Sequence, residues 1–306
     1  FVGFRKKFPL LTPEIDQDIR RSYKGGFTYV NDIWQGKDIG KGITLDVNSL
    51  YPSVMYKEIL PFGEPFFYEG EYQEDKVYPL YIQRLTCSFR IKEGKIPTIQ
   101  IKQKNFFFLP NEYIEDSKGE EFVLTLTNID LEMFFKHYDV ENLVYIDGFK
   151  FRSIRGLFDK YIDYWTEKKI QAGKEGNKGK RAIAKMQLNS LYGKFAKSTT
   201  IKSKYPFVDS DGILHFTMSE AQQKNGIYLP VACFITAYAR KVTIETSQKI
   251  KEYSLEKYGI DMYIYSDTDS IHTLLPIEEL KNFCEIDDYK LGAWAWERIC
   301  NKSKIC

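Results

Sequence analysis

The segment GITLDV (42–47) alternates apolar with polar positions and predicts a core strand ending at Asp46. Before it, YKGGFTYV predicts a Gly-Gly turn leading into an aromatic and β-branched strand. After it, Pro52 suits the first turn of a short helix, SVMYKEI, which stops at Pro61. Positions 61–150 read as short strands, FFYEGEY, YPLYIQRLTCSFRI and IPTIQIK, closed by a helix, NIDLEMFFKHY. In GLFDKYIDYWTEKKI (156–170), Leu157, Phe158, Tyr161, Ile162 and Trp165 share one helical face. The Gly-rich, basic AGKEGNKGK separates that helix from a second, Lys180 to Ala196, which predicts an αα-hairpin with a cationic exterior. Positions 198–229 are polar, with DSDG and KNGI turns, and predict a small β-loop; 230–255 predict a further helix. The strand MYIYS, a tight turn and the strand SIHTLL then make a hairpin. No internal repeat is apparent.

At 306 residues the chain exceeds the common domain size of about 100–150, so two or more compact units are expected. Its 43% hydrophobic content fits an ordinary globular protein, and no apolar run approaches the ~20 residues of a membrane helix. The first residues do not resemble a signal peptide, and because Phe1 is not a start methionine the chain is expected to be a fragment, domain or processed product. The 5 cysteines are scattered without a CxxC pair, which argues against a disulfide framework and a zinc site and for a cytoplasmic setting. Net charge is only +2, yet positions 150–204 hold 15 Lys/Arg against 4 Asp/Glu. That local excess reads either as a solvated face or as a polyanion-binding surface, and its junction with a patterned helix favours the second.

YSDTDS (265–270) places Asp267 and Asp269 two positions apart, so an extended chain sends both side chains off one face. Carboxylates that close raise each other's pKa unless a cation lies between them. An Asx-type turn joining two strands is the plainer reading, but the apolar flanking strands set the pair on a rigid edge that suits a metal. Asp46 reads either as the N-cap of the next helix or as a further metal ligand. Magnesium prefers carboxylate oxygen, water and substrate phosphate, and Asp46, Asp267, Asp269 and the Val47 carbonyl supply that partial set. Two ions ~3.5–4 Å apart would activate an attacking 3′-hydroxyl and neutralise departing pyrophosphate.

Lys185, Asn189 and Tyr192 fall on one helical stripe that Arg181 extends by a turn. The stripe is either ordinary exposed surface or a cationic rail for triphosphate oxygens, with Tyr192 packing on a base or sugar. Gly193 would let a nucleic-acid backbone or base pair approach closely. DLE (130–132) and DVE (139–141) superficially match the DxE of a proofreading nuclease but lack the further carboxylates such a site needs. His137, His215 and His272 are isolated and expected to be structural, and GxxxxGK[ST] is absent.

DVNSLYPS (46–53), KMQLNSLYGKFA (185–196) and YSDTDS, in this order, resemble the three catalytic motifs of the family B DNA polymerases. More narrowly, the chain resembles the polymerisation domain of the protein-primed enzymes of small tailed bacteriophages. YKGGF, GEP (63–65), YPLYIQ, IPTIQIK, GLF, FITAYAR and KLGAWA carry the likeness over nearly the whole length. The resemblance implies an α+β fold. A palm with an antiparallel sheet would occupy 1–57 and 230–290, and fingers, a helical hairpin, 156–197. Two mainly β insertions, 58–155 and 198–229, resemble the regions that contact a terminal protein and encircle DNA, and 291–306 would begin a thumb.

The same resemblance implies template-directed deoxynucleotide addition to a primer or terminal-protein hydroxyl with two Mg²⁺ ions, Mn²⁺ being a possible substitute. Asp46 and Asp269 look like the principal metal ligands, with Asp267 beside them and the Val47 carbonyl joining. Tyr51 resembles the gate that excludes a ribose 2′-hydroxyl. Lys185 is similar to the residue that holds the incoming phosphates, with Lys169 and Arg181 in support, and Asn189 and Tyr192 would border the nascent base pair. Tyr23, Gly25 and Gly26 resemble the template-contacting segment, and Gly193 and Thr268 are further DNA-contact positions. Implied partners are template-primer DNA, deoxynucleoside triphosphates and a terminal protein, with no membrane; a viral origin would make the compartment the host cytoplasm. The resemblance implies that this chain is without the family's exonuclease domain and stops short of its Lys-x-Tyr primer-gripping segment. A non-catalytic DNA- or terminal-protein-binding fragment is therefore the competing expectation.

Overall fold

The computed structural model describes residues 2–100, 113–223, 226–300 and 303–304. Five strands lie side by side in the order Thr28–Val30, Tyr263–Asp267, Ser270–Thr273, Gly42–Val47 and Trp294–Cys300, every neighbour antiparallel. Trp294–Cys300 falls in the stretch that the resemblance gives to a thumb, yet its backbone completes this sheet. Along Gly42–Val47 the period of two sends Leu45 and Val47 into the core and leaves Asp46 partly exposed on the opposite side.

Behind the sheet runs Leu229–Tyr258, a helix of 30 residues. Its first turns are apolar on every side, and Val231, Ala232, Cys233, Phe234 and Ile235 are all fully buried, as an interior helix requires. Packed around it are Leu50–Lys57, Pro13–Arg20, Asn128–His137 and Lys178–Phe195. The predicted helical hairpin is present as Asp159–Lys174 and Lys178–Phe195. Asn177 caps the second helix, its side chain accepting from the Lys180 amide.

A second antiparallel sheet has the order Leu60–Glu69, Tyr138–Ile154, Leu80–Ile91, Phe122–Thr127 and encloses its own core around Leu85, Phe89, Leu126, Phe134 and Tyr138. Its strands are not short. Leu80–Ile91 has 12 residues, and Tyr138–Ile154, a strand absent from the sequence expectation, has 17. The chain runs through Asp147-Gly148 without turning because Gly148 lies flat against its neighbours. A Cβ there would collide with the Ile82 carbonyl oxygen and the Tyr68 ring. Pro61 is tolerated because its strand lies at the sheet edge.

IPTIQIK is not a strand over its described part, 96–100, which makes a single bridge between Gln100 and Tyr113. Instead the Ile96 amide donates to Gln248 Oε1 at 2.9 Å and the Thr98 amide to the Tyr138 hydroxyl at 2.9 Å. Positions 101–102 lie outside the described residues. The β-loop consists of two ribbons, Lys204–Val208 with Leu214–Met218 and Thr200–Ile201 with Gln222–Gln223. Asp209 Oδ1 closes the DSDG turn by accepting from the amides of Asp211 and Ile213. The KNGI turn falls partly on 224–225, outside the described residues.

Candidate active site

Strand register brings the first and third motifs together. Ser270 lies opposite Asp46, and the Val47 amide donates to the Asp269 carbonyl at 2.7 Å. The two aspartates of the third motif do not leave one face of an extended strand, as their spacing predicts. The chain reverses at Thr268, which has a left-handed φ of 57°, and the Asp269 amide folds back onto the Asp267 carbonyl at 2.7 Å. Asp267 remains on its strand opposite Thr28, where Oδ1 accepts from Thr28 Oγ1 at 3.3 Å and Thr268 Oγ1 at 3.2 Å. The turn joins the two strands but closes through the Asp267 carbonyl rather than its side chain, so it is not of the Asx type.

Asp46 and Asp269 interact electrostatically across the sheet. Burial first, then the Asp269 and Glu297 carboxylates, push Asp46 up to about 6, against the opposing pull of Lys185 and Lys169. Asp269 is raised as well, chiefly by burial, with Asp267 and Glu297 adding to the rise and its own backbone hydrogen bond and Lys185 resisting it. Glu297 was not foreseen. It sits at the irregularity between Trp296 and Arg298, and only the pairing of that strand with Gly42–Val47 reveals its proximity.

Among the described residues no group of three or more His, Cys, Asp or Glu side chains is arranged to hold a metal ion. Asp46 and Asp269 act on each other, and Asp267, which accepts from Thr28, also acts electrostatically on Asp269. The pair still suits a hard divalent cation in its chemistry: partly buried oxygen donors whose ionised forms burial and mutual repulsion disfavour. Asp46 is not the N-cap of the next helix. Ser49 holds that place, at a left-handed φ of 55°.

Ser49 links the carboxylates to the helical hairpin, its hydroxyl accepting from Lys169 Nζ at 2.8 Å. Burial, then repulsion from Arg181 and Lys185, lower the Lys169 pKa, while Asp46 opposes the fall. Arg181 lies along Gly173 of the facing helix, and Lys185 and Asn189 are exposed farther along the same stripe. Three tyrosines meet beside them. The Tyr51 and Tyr192 rings are 4.4 Å apart, and the hydroxyls of Tyr192 and Tyr23 share a hydrogen bond of 2.6 Å. Burial pushes Tyr51 up to about 12 and raises Tyr192 too, so both are neutral hydroxyls. Gly26 packs against Thr268, whose side chain a Cβ at that position would strike, whereas Gly25 and Gly193 face open space.

The remaining candidates of the sequence are structural. Asp130 pairs with Arg240, Glu132 with Lys136 and Lys241. Buried His137 Nδ1 lies 2.7 Å from the Ile96 carbonyl, His215 pairs with Asp209, and His272 Nδ1 lies 3.1 Å from Thr44 Oγ1. No described helix is long and apolar enough to cross a membrane.

Known proteins resemble this chain in sequence and fold. The family described as DNA polymerase type B, organellar and viral, matches residues 2–282. The DNA polymerase of Bacillus phage Nf is 47% identical over 98% of the chain, and that of Streptococcus phage Cp-1 is 35% identical over 98%. The phi29 DNA polymerase, solved with primer-template DNA and incoming nucleotide, superposes with a TM-score of 0.87 at 43% identity over 99% of the chain. The chain spans about half the length of these relatives, 50% for phage Nf, 51% for Cp-1 and 51% for the phi29 structure. On this match, and on the meeting of its first and third motifs across one sheet, the chain belongs to the type B DNA polymerases of organelles and viruses.

Proposed function

We propose that the chain carries the nucleotidyl-transfer centre of a template-directed DNA polymerase of the phi29 type. Deoxynucleotides would be added to a primer hydroxyl or, at initiation, to a terminal-protein hydroxyl. The observation that carries this reading is the electrostatic meeting of Asp46 and Asp269, from adjoining strands, with Lys185 of the helical hairpin.

Asp46, Asp269 and the Val47 carbonyl would hold divalent metal, Mg²⁺ or Mn²⁺ in its place, with Asp267 at the margin. When bound, such ions make a hydroxyl more nucleophilic and neutralise a leaving pyrophosphate. Arg181 and Lys185 each repel Lys169, so a triphosphate placed among them would relieve that repulsion while it is oriented. Asn189 and Tyr192 would border the new base pair. The Tyr23–Gly26 segment, with Thr268 and Gly193, would face the DNA.

The central sheet then serves as palm and the helical hairpin as fingers. The second sheet and the β-ribbons correspond to the two insertions assigned to terminal-protein contact and DNA encirclement. A phage enzyme of this kind would work in the host cytoplasm. Tyr51, packed against the Tyr192 ring, would close the space a ribose 2′-hydroxyl needs. Tyr51→Val is expected to raise ribonucleotide relative to deoxyribonucleotide incorporation by ~10–100-fold. Unchanged sugar discrimination would remove the gate role.

Primer extension with Mg²⁺ and labelled deoxynucleotide tests the reading. Extension that Asp269→Asn eliminates is the expected result. Binding of primer-template without extension would make the chain a non-catalytic binding fragment instead.

A further inference from the structure

We infer that a groove along the helical hairpin, on the flank turned away from the candidate active site, is a second and sequence-independent site for single-stranded DNA. Its occupant is the strand parted from the template when copying runs into duplex. The inference rests on the polymerase reading above and extends it to a surface that reading does not use. The groove lies between Asp159–Lys174 and Lys178–Phe195 and has a volume of about 320 Å³. Tyr164, Trp165 and Lys168 line it from the first helix, Lys180 and Ile183 from the second.

Helix geometry separates this flank from the nucleotide-facing one. At about 100° per residue, Arg181, Lys185, Asn189 and Tyr192 share one side of the second helix. Lys180 and Ile183 lie on the other side of the buried line formed by Ala184 and Leu188. The first helix repeats the division. Lys169 reaches Ser49 and Gly173 lies along Arg181, whereas Tyr164 and Lys168 border the groove. Since the nascent pair belongs beside Asn189 and Tyr192, DNA in the groove is the strand that does not pair.

The lining suits such a strand. Aromatic platforms combined with cations bind single-stranded DNA without regard to sequence, because every base has a π-face and every link a phosphate. Tyr164 is 52% exposed and meets the Trp165 ring edge-on at 5.1 Å, which leaves ring surface open to a base. Ile183, 53% exposed, adds apolar surface that the fold leaves uncovered. Lys168 Nζ stands 5.6 Å from the centre of the Tyr164 ring, and among the described residues neither Lys168 nor Lys180 forms a salt bridge. Glu175, also in the lining, accepts from Gln171 Nε2 at 3.0 Å. Of the 15 Lys/Arg at positions 150–204, only Lys169, Arg181 and Lys185 are placed for a triphosphate, so the cationic excess extends well beyond the active site.

Forked DNA tests the inference by binding and by extension. A primer-template whose downstream duplex carries an unpaired 5′ thymidine arm is expected to bind roughly tenfold tighter than the same DNA without the arm. Tyr164→Ala, and Lys168→Ala combined with Lys180→Ala, should each remove most of that difference while the armless Kd stays within about twofold. The arm should steepen log Kd against log salt, and each lysine removed should take back roughly 0.7 of that slope. On a single-stranded template the variants should extend primers at rates within about twofold of the unsubstituted protein, and fall roughly tenfold where a downstream strand must be displaced. Variants that treat the two DNAs alike, whether unchanged or equally impaired, overturn the inference. So does a dimer in sedimentation that Tyr164→Ala dissolves, which would give the groove to a second copy of the chain. If the unsubstituted protein extends no primer the polymerase reading fails, and arm-dependent binding still decides the groove.

Discussion

Asp46→Asn is expected to cut single-turnover incorporation by ~10³-fold or more while primer-template affinity stays within about twofold. The same change should make the metal-free protein more stable. Asp46 has an ordinary carboxyl pKa of 3.8 when unfolded and about 6 when folded. Between those values the folded state binds more protons than the unfolded one, so stability falls as pH rises through that window. Above it the whole cost of the buried charge is present. Discounted for partial solvent screening, that cost is about 1–2 kcal/mol. Asparagine removes it, so Tm in EDTA at pH 7.5 should rise by ~2–5 °C, and the advantage should vanish at pH ~4. Adding Mg²⁺ should raise the Tm of the unsubstituted protein and move the variant far less. A variant that loses stability along with activity would mark Asp46 as a structural residue.

Lys185→Ala is expected to act on a different quantity. The side chain lies on the exposed face of the hairpin yet couples electrostatically to Asp46, Asp269 and Lys169. Removing one charge-assisted interaction of about 1.5–3 kcal/mol should raise KM for deoxynucleotide by ~10–100-fold. Primer-template Kd should change little, because the lysine faces the carboxylates rather than a DNA backbone in this reading. Steady-state kinetics at saturating DNA separates the two. A weakened DNA Kd with an unchanged nucleotide KM would reassign Lys185 to the duplex.

What could be read from the sequence followed from local periodicity. The helical hairpin and the strands on either side of YSDTDS declare themselves because each buries one face against the rest. Local pattern also marked Asp46 and Asp269 as candidates, because each ends or adjoins a strand. It did not show the turn between Asp267 and Asp269, since a two-residue spacing cannot show that Thr268 adopts a left-handed backbone. Tyr138–Ile154 was missed because many of its residues face solvent, so its pairing with two long neighbours defines it more than its own pattern. Glu297 was beyond reach for a related reason. It nears Asp46 only after a fifth strand has joined the sheet.

A divalent cation shared by Asp46 and Asp269 next to the lysine-bearing helix would be observed directly by anomalous diffraction. Crystals of the protein with primer-template, a non-reacting nucleotide and Mn²⁺ give anomalous density at the ion. The expected result is a peak coordinated by both carboxylates, which disappears in Asp269→Asn. Manganese bound by one of them alone, or at a site that includes neither, would contradict it.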